Sequence, residues 1–243
     1  GAFSQAFVPV LSEYKEKYSL EQVQILVSRT SGALLLVLSM LTVVVILIAP
    51  WVVTLFAPGF ADQPDKFAIT AELLRLTFPY LLFISMTAFA SGSLQSYGRF
   101  AAPAFAPVLL NLCMIGGALV FAPMFDVPIM ALGYSVAIAG LLQLLIQLPQ
   151  LSQQKLLVAP KIDFQHEGVR RILKLMLPAI FGVSVTQINL LLNTVFASLM
   201  IGGSVSWLYA AERMSELPLG LIGVAIGTVI LPSLSKSEAQ KDD

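Results

Sequence analysis

Charge is what this sequence has least of. Asp, Glu, Lys and Arg make up 12% of its 243 residues, where a water-soluble domain carries about a quarter. A chain so short of polar surface is excluded from the ordinary soluble folds. Cysteine is almost absent as well. Cys113 stands alone, which rules out a disulfide within the chain and leaves it as a small apolar filler. His166 is the single histidine, and nothing beside it completes a metal site or a catalytic pair. There is no P-loop, no nucleotide-binding glycine pattern and no Ser/His/Asp arrangement. No enzyme activity, catalytic residue, cofactor or metal is therefore expected. A net charge of +0 offers nucleic acid no basic surface. No basic segment followed by a cleavage site marks a signal peptide. The chain opens at Gly1 inside what reads as a helix already under way, so it reads as a piece of a longer protein.

What the sequence has instead is six charge-free runs: 30–57, 76–98, 100–125, 127–154, 175–211 and 217–235. A bilayer core about 30 Å thick is crossed by roughly 20 apolar residues in helical form. Each run reaches or approaches that length, and the fold class is all-α, a polytopic transmembrane helix bundle. Residues 1–18 read as the end of a helix. Spans follow over 30–57, from near Lys66 to Gly98, over 100–122, 128–154 and 175–200, and from about Val205 to Ser235. The first is stopped by Ala57-Pro58-Gly59-Phe60, and Gly202-Gly203-Ser204 forms a tight turn between the last two. Between the fourth and fifth, Ile162, Phe164, Val169, Ile172 and Leu173 alternate with Arg170, Arg171 and Lys174. That pattern predicts an amphipathic helix lying in the membrane interface beside lipid headgroups, with Asp163 as its N-cap.

The positive charges are one-sided. Of fourteen Lys and Arg, eleven (Lys15, Lys17, Arg29, Arg99, Lys155, Lys161, Arg170, Arg171, Lys174, Lys236 and Lys241) fall in one alternating set of connecting segments. The opposite set holds only Lys66, while Arg75 and Arg213 sit close to or inside spans. By the positive-inside rule the first set is cytoplasmic, with both ends of the chain, and loops 57–66, 123–128 and 202–204 face outward.

The polar groups left within the spans are the candidates for function. Arg213 lies nine residues past the outer turn, roughly 14 Å into its span. A charge at that depth needs a water-filled cavity or a partner. Glu212 and Glu216 share its helix face at three- and four-residue spacing. The alternatives are an ion pair that packs the helix or a ligand contact, and arginine suits a phosphate through its planar fork. The preceding span carries a polar stripe of Ser184, Gln187, Thr194 and Ser198, flanked by Thr186, Asn189 and Asn193. Hydrogen bonds between helices explain such a stripe as well as a ligand does. Pro9-Val-Leu-Ser12 is echoed by Pro232-Ser-Leu-Ser235, as expected of a transporter built from repeats.

Several stretches taken together carry a family resemblance: AFSQAFVPVLSEY ending at Tyr14, APGF ending at Phe60, PAFAPVLLN ending at Asn111, LPAIFGVSVTQIN ending at Asn189, and VSWLYAAERMSELPLGLIGVAIGTVILPSLS ending at Ser235. They resemble the MurJ/MviN lipid II flippases of the multidrug/oligosaccharidyl-lipid/polysaccharide exporter superfamily. The resemblance implies a two-lobe fold of fourteen helices around a cationic cavity. The chain would run from the end of helix 2 to helix 8. Residues 1–160 would belong to the N-terminal lobe, 161–174 to an amphipathic linker, and 175–243 to the start of the C-terminal lobe. Arg213 falls on the cavity arginine of helix 8, Glu212 and Glu216 on its acidic neighbours, and Ser206 on a cavity-facing serine. With Gln187 and Asn189 these residues make up the expected substrate-binding set. The implied partner is lipid II, carried across the bacterial inner membrane by alternating access and coupled to an ion or the membrane potential. Another exporter of the superfamily, such as a polysaccharide-unit flippase or a drug/cation antiporter, and a non-transporting membrane scaffold are the alternatives.

Overall fold

Proline opens several of the helices. The computed structural model describes residues 2–216. The Pro232 echo, Gly220, Gly223 and Gly227, and most of the expected last span lie outside them. Helix α1 (Ala2–Lys17) is followed by α2 (Leu20–Leu47) and α3 (Ala49–Phe56), which breaks from α2 where Pro50 occupies its first turn. Pro64 opens α4 (Pro64–Thr77) and Pro79 opens α5 (Pro79–Ser96). Each proline sits where its missing N–H would have had no helical partner. Helix α6 (Ala101–Gly116) widens into a π turn at Gly117–Phe121 and tightens again at Ala122–Met124. Helices α7 (Ile129–Leu145) and α8 (Leu148–Gln153) form the next crossing, broken where Pro149 begins the second piece. Helix α9 (Glu167–Ser198) and α10 (204–216) complete the described bundle. Five stretches among the described residues are long and apolar enough to cross a membrane: 20–47, 64–96, 101–124, 129–153 and 167–198.

Two expectations need correcting. Helix α2 begins ten residues before the charge-free run, because the Ser19 hydroxyl caps it by accepting from the Gln22 N–H at 3.4 Å. Val23, Leu26 and Val27 then bury themselves against α1 and α5. The amphipathic segment is not a separate interfacial helix. Residues 167–174 are the first turns of α9, which runs unbroken to Ser198, with His166 and not Asp163 at its N-cap position. Its apolar residues Val169 and Ile172 are buried in protein rather than turned to lipid. Asp163 instead accepts from the Gln165 N–H at 2.9 Å and pairs with Arg29 at 2.9 Å.

The segments that share the basic set meet at one end of the bundle. Lys15 Nζ donates to the Ser96 carbonyl at 2.8 Å, and Gln24 Nε2 to the Lys155 carbonyl at 2.7 Å. The Lys161 N–H reaches the Ser28 carbonyl at 2.9 Å, and Arg171 pairs with Glu13 at 2.7 Å. The core sits at this end. Phe7 and Leu11 of α1, Leu26 of α2, Leu94 of α5, Leu156 and Ile172 are all sealed from solvent. Phe7 meets Phe89 with ring centroids 4.8 Å apart. Gly98 ends α5 at φ +71°, so that Arg99 N–H returns to the Leu94 carbonyl at 2.9 Å. At the opposite end the Pro58–Phe60 turn packs on the end of α9. The Gly59 N–H donates to Ser198 Oγ at 3.4 Å, and a side chain at Gly59 would collide with the Ser198 backbone carbonyl. The two ends of the bundle therefore carry the two sets of connecting segments that the charge bias separates.

Candidate functional site

Helices α9 and α10 hold every residue expected to bind substrate, Gln187 and Asn189 in the C-terminal half of α9 and Ser206, Glu212, Arg213 and Glu216 along α10. The turn at 201–203 is tight because Gly203 takes φ +98°. Helix α10 then starts at Ser204, its hydroxyl donating to the Ile201 carbonyl at 2.8 Å. Ser206 is exposed and lines a small cavity of about 130 Å³ with Phe60, Gln63, Lys66 and Ser198. Lys66 caps the Phe60 ring there, its Nζ 3.9 Å from the centroid. Two turns further in, Arg213 donates to Glu216 at 2.8 Å and lies over the Tyr209 ring at 5.2 Å. Both partners belong to its own helix, and they orient the guanidinium, whose other N–H groups make no hydrogen bond among the described residues. The pair is 62% and 65% exposed. The structure thus brings Arg213 and Glu216 together. Glu212 is half-buried on the next face and makes no ion pair among the described residues.

On α9 the hydroxyls fold back on their own helix. Ser184 donates to Ile180 at 2.7 Å and Thr194 to Leu190 at 3.0 Å. Gln187, Asn189 and Asn193 are exposed, and their amides make no hydrogen bond among the described residues. Packing between described helices therefore does not account for these amides. They present donors and acceptors on an open surface.

A second polar group was not singled out from the sequence. Gln143 of α7 and Gln147, at the break between α7 and α8, are 1% and 0% exposed. Gln143 Nε2 donates to the Ala106 carbonyl of α6 at 2.8 Å, and Gln147 Nε2 to Ser91 Oγ of α5 at 2.9 Å. Two glutamines four apart in an apolar span are the signal that was available, since both must find partners inside the bundle.

At the basic end, Glu13 is lowered to about 2 by the hydrogen bond from Arg171 and then by Lys17. His166 is pushed below its ordinary value, first by burial and then by Arg29. Glu13 therefore stays ionised and ties α1 to α9 across the core. Among the described residues no group of side chains has the makings of a metal site.

Five membrane-length helical stretches among the described residues, with internal glutamines, define a polytopic membrane helix bundle. The family model described as Lipid II flippase MurJ matches residues 1–243, and the chain belongs to that family. It is 46% identical to the probable lipid II flippase MurJ of Haemophilus influenzae, over 100% of this chain and 49% of that protein. It is 44% identical to the lipid II flippase MurJ of Burkholderia cenocepacia, over 100% of this chain and 48% of the relative. A solved structure of lipid II flippase MurJ in an inward closed conformation superimposes with a TM-score of 0.78 at 27% identity. That superposition covers 98% of this chain and 49% of the other. The chain spans about half the length of the curated relatives it matches.

Proposed function

We propose that this chain forms part of a lipid II flippase. The complete protein carries undecaprenyl-diphosphate-linked disaccharide-pentapeptide from the cytoplasmic to the periplasmic leaflet of the inner membrane by alternating access. The observation that carries the reading is the family match across residues 1–243. Residues 1–160 contribute to one lobe and α9 with the residues after it to the other, joined through 161–166. The basic end faces the cytoplasm, as the positive-inside rule requires, and Arg170 and Lys174 lie exposed there for anionic headgroups. In this reading Arg213 contacts the substrate diphosphate, its fork oriented by Glu216 and Tyr209 and its outer N–H groups unspent. Ser206, Gln187, Asn189 and Glu212 line the same path and meet the sugar and peptide groups. The cycle draws on an ion gradient or the membrane potential. The test is complementation: the full-length gene should restore growth to cells depleted of their own lipid II flippase. A gene that exports drugs or polysaccharide units but leaves those cells lysing would refute the reading.

A further inference from the structure

One cavity lies away from the α9 and α10 face and has no role in the proposed transport path. It measures about 250 Å³, opens to the surface, and is lined by residues of α1, α5, α6 and α7. Two buried oxygens line it without a partner. Gln143 Oε1 is left over because the amide nitrogen is committed to the Ala106 carbonyl. Thr87 Oγ1 has no hydrogen bond, although Thr87 is only 3% exposed. A third acceptor comes from the backbone. Pro107 lies inside α6 and has no N–H, so the Pro103 carbonyl lacks its helical donor, and both prolines line the same cavity. A buried amide or hydroxyl without a partner costs on the order of 1–3 kcal/mol, and two such groups around one space, with the Pro103 carbonyl beside them, call for an occupant. No carboxylate lines the cavity, so a bare cation there would have no counter-charge. Water fits: it donates to each of these acceptors, and the polar side chains of Thr87, Ser91, Gln95 and Gln143 form one track along an otherwise mostly apolar lining wide enough for water.

The lining also has a direction. Thr87, Ser91 and Gln95 stand at i, i+4 and i+8 on α5, all on the cavity. Along that stripe the residues pass from buried at Thr87, through half-buried at Ser91, to exposed at Gln95. Gln95 adjoins Ser96, whose carbonyl accepts from Lys15 at the basic end. The stripe covers about 12 Å of helix. We propose that this cavity is a water-filled inlet, open at the basic end beside Gln95 and closed at Thr87 and Gln143, which hydrates the Pro107 bend inside the first lobe. The inference stands apart from the assignment of substrate.

The test uses the full-length protein in membranes, with Cys113 and any other native cysteine replaced by serine. Thr87→Cys and Ser91→Cys are compared with Leu112→Cys, which sits on the exposed apolar side of α6. A thiol reacts through its thiolate, which needs water. A small water-soluble methanethiosulfonate should modify positions 87 and 91 at least an order of magnitude faster than 112. Adding Gln143→Leu should slow position 91. Rates at 87 and 91 equal to that at 112 would overturn the inlet and leave a cleft filled by lipid or protein. Hydroxyl-radical labelling of the unsubstituted protein needs no variant to fold. Corrected for each residue's intrinsic reactivity, oxidation should be higher at Pro103 and Pro107 than at Leu112, and failure to do so would equally overturn it.

Discussion

Arg213 stands nine residues beyond Ser204, held by Glu216 at 2.8 Å and resting over Tyr209. The pair joins two residues of one helix and reaches no other described element, so it does not hold the described helices together. Arg213→Ala is therefore expected to leave the amount of protein in the membrane unchanged while abolishing transport. Arg213→Lys should recover only part of it, because the ammonium keeps the charge and loses the fork. Immunoblotting of membranes together with complementation measures both. Full transport by the uncharged Arg213→Met, Glu216→Gln double variant would refute substrate contact. Arg213 was legible in the sequence because an arginine within an apolar run is anomalous. Its partner was legible from the three-residue spacing. Gln143 and Gln147 were not picked out, because an amide carries no charge and its burial depends on which helices face α7. Glu13 makes a different kind of prediction. Its carboxyl falls from 4.5 to about 2 in the fold, so the native state binds fewer protons than the unfolded chain. The stabilisation is complete above pH 4.5 and is lost as pH falls through about 2. Melting temperatures taken across that window should drop less in Arg171→Met than in the unsubstituted protein.

Helix α9 is fastened at its two ends. Val169 and Ile172 enter the core at the basic end, and Ser198 meets Gly59 at the other. Between them Leu177, Phe181 and Val185 are widely exposed. Gly59→Val would drive a side chain into the Ser198 carbonyl. An overpacked contact of this kind costs typically 1–3 kcal/mol, and the melting temperature should fall accordingly. Gly116→Ala is the matched control. Nothing lies within 4 Å of where its Cβ would stand, so it should be neutral or slightly stabilising. Equal effects of the two substitutions would contradict the docking of the 58–60 turn on α9. The stop at Pro58 was readable in advance, because proline followed by glycine ends a helix locally, whereas the breaks at Pro50, Pro79 and Pro149 fall inside apolar runs read as single spans. The joining of 167–174 to α9 was not, since a basic amphipathic turn looks the same whether its apolar side meets lipid or, as here, α1 and α2. Ser19 likewise starts α2 among residues whose polarity suggested a loop.

For the molecule as a whole, scarcity of charge and the lengths of the apolar runs were enough to give the fold class. The one-sided lysines and arginines divided the connecting segments into the two groups that the bundle gathers at opposite ends. The arrangement of the helices around one another was not legible, because apolar faces in lipid carry no polar side to orient them. The orientation is open to direct labelling. A cysteine at exposed Gln63 should react with an impermeant thiol reagent outside intact cells, and one at exposed Gln153 only after lysis; the reverse pattern would invert the topology. The central claim is that the full-length protein moves lipid II and that Arg213 takes part. It is tested most directly in cells depleted of their own flippase and supplied with the full-length gene, by measuring how much lipid II becomes accessible to a lipid II-cleaving enzyme added outside. The prediction is that the unsubstituted protein restores outer-leaflet lipid II and that Arg213→Ala, at equal membrane abundance, does not. Lipid II that stays inside with the unsubstituted protein, or that appears outside equally with Arg213→Ala, would contradict it.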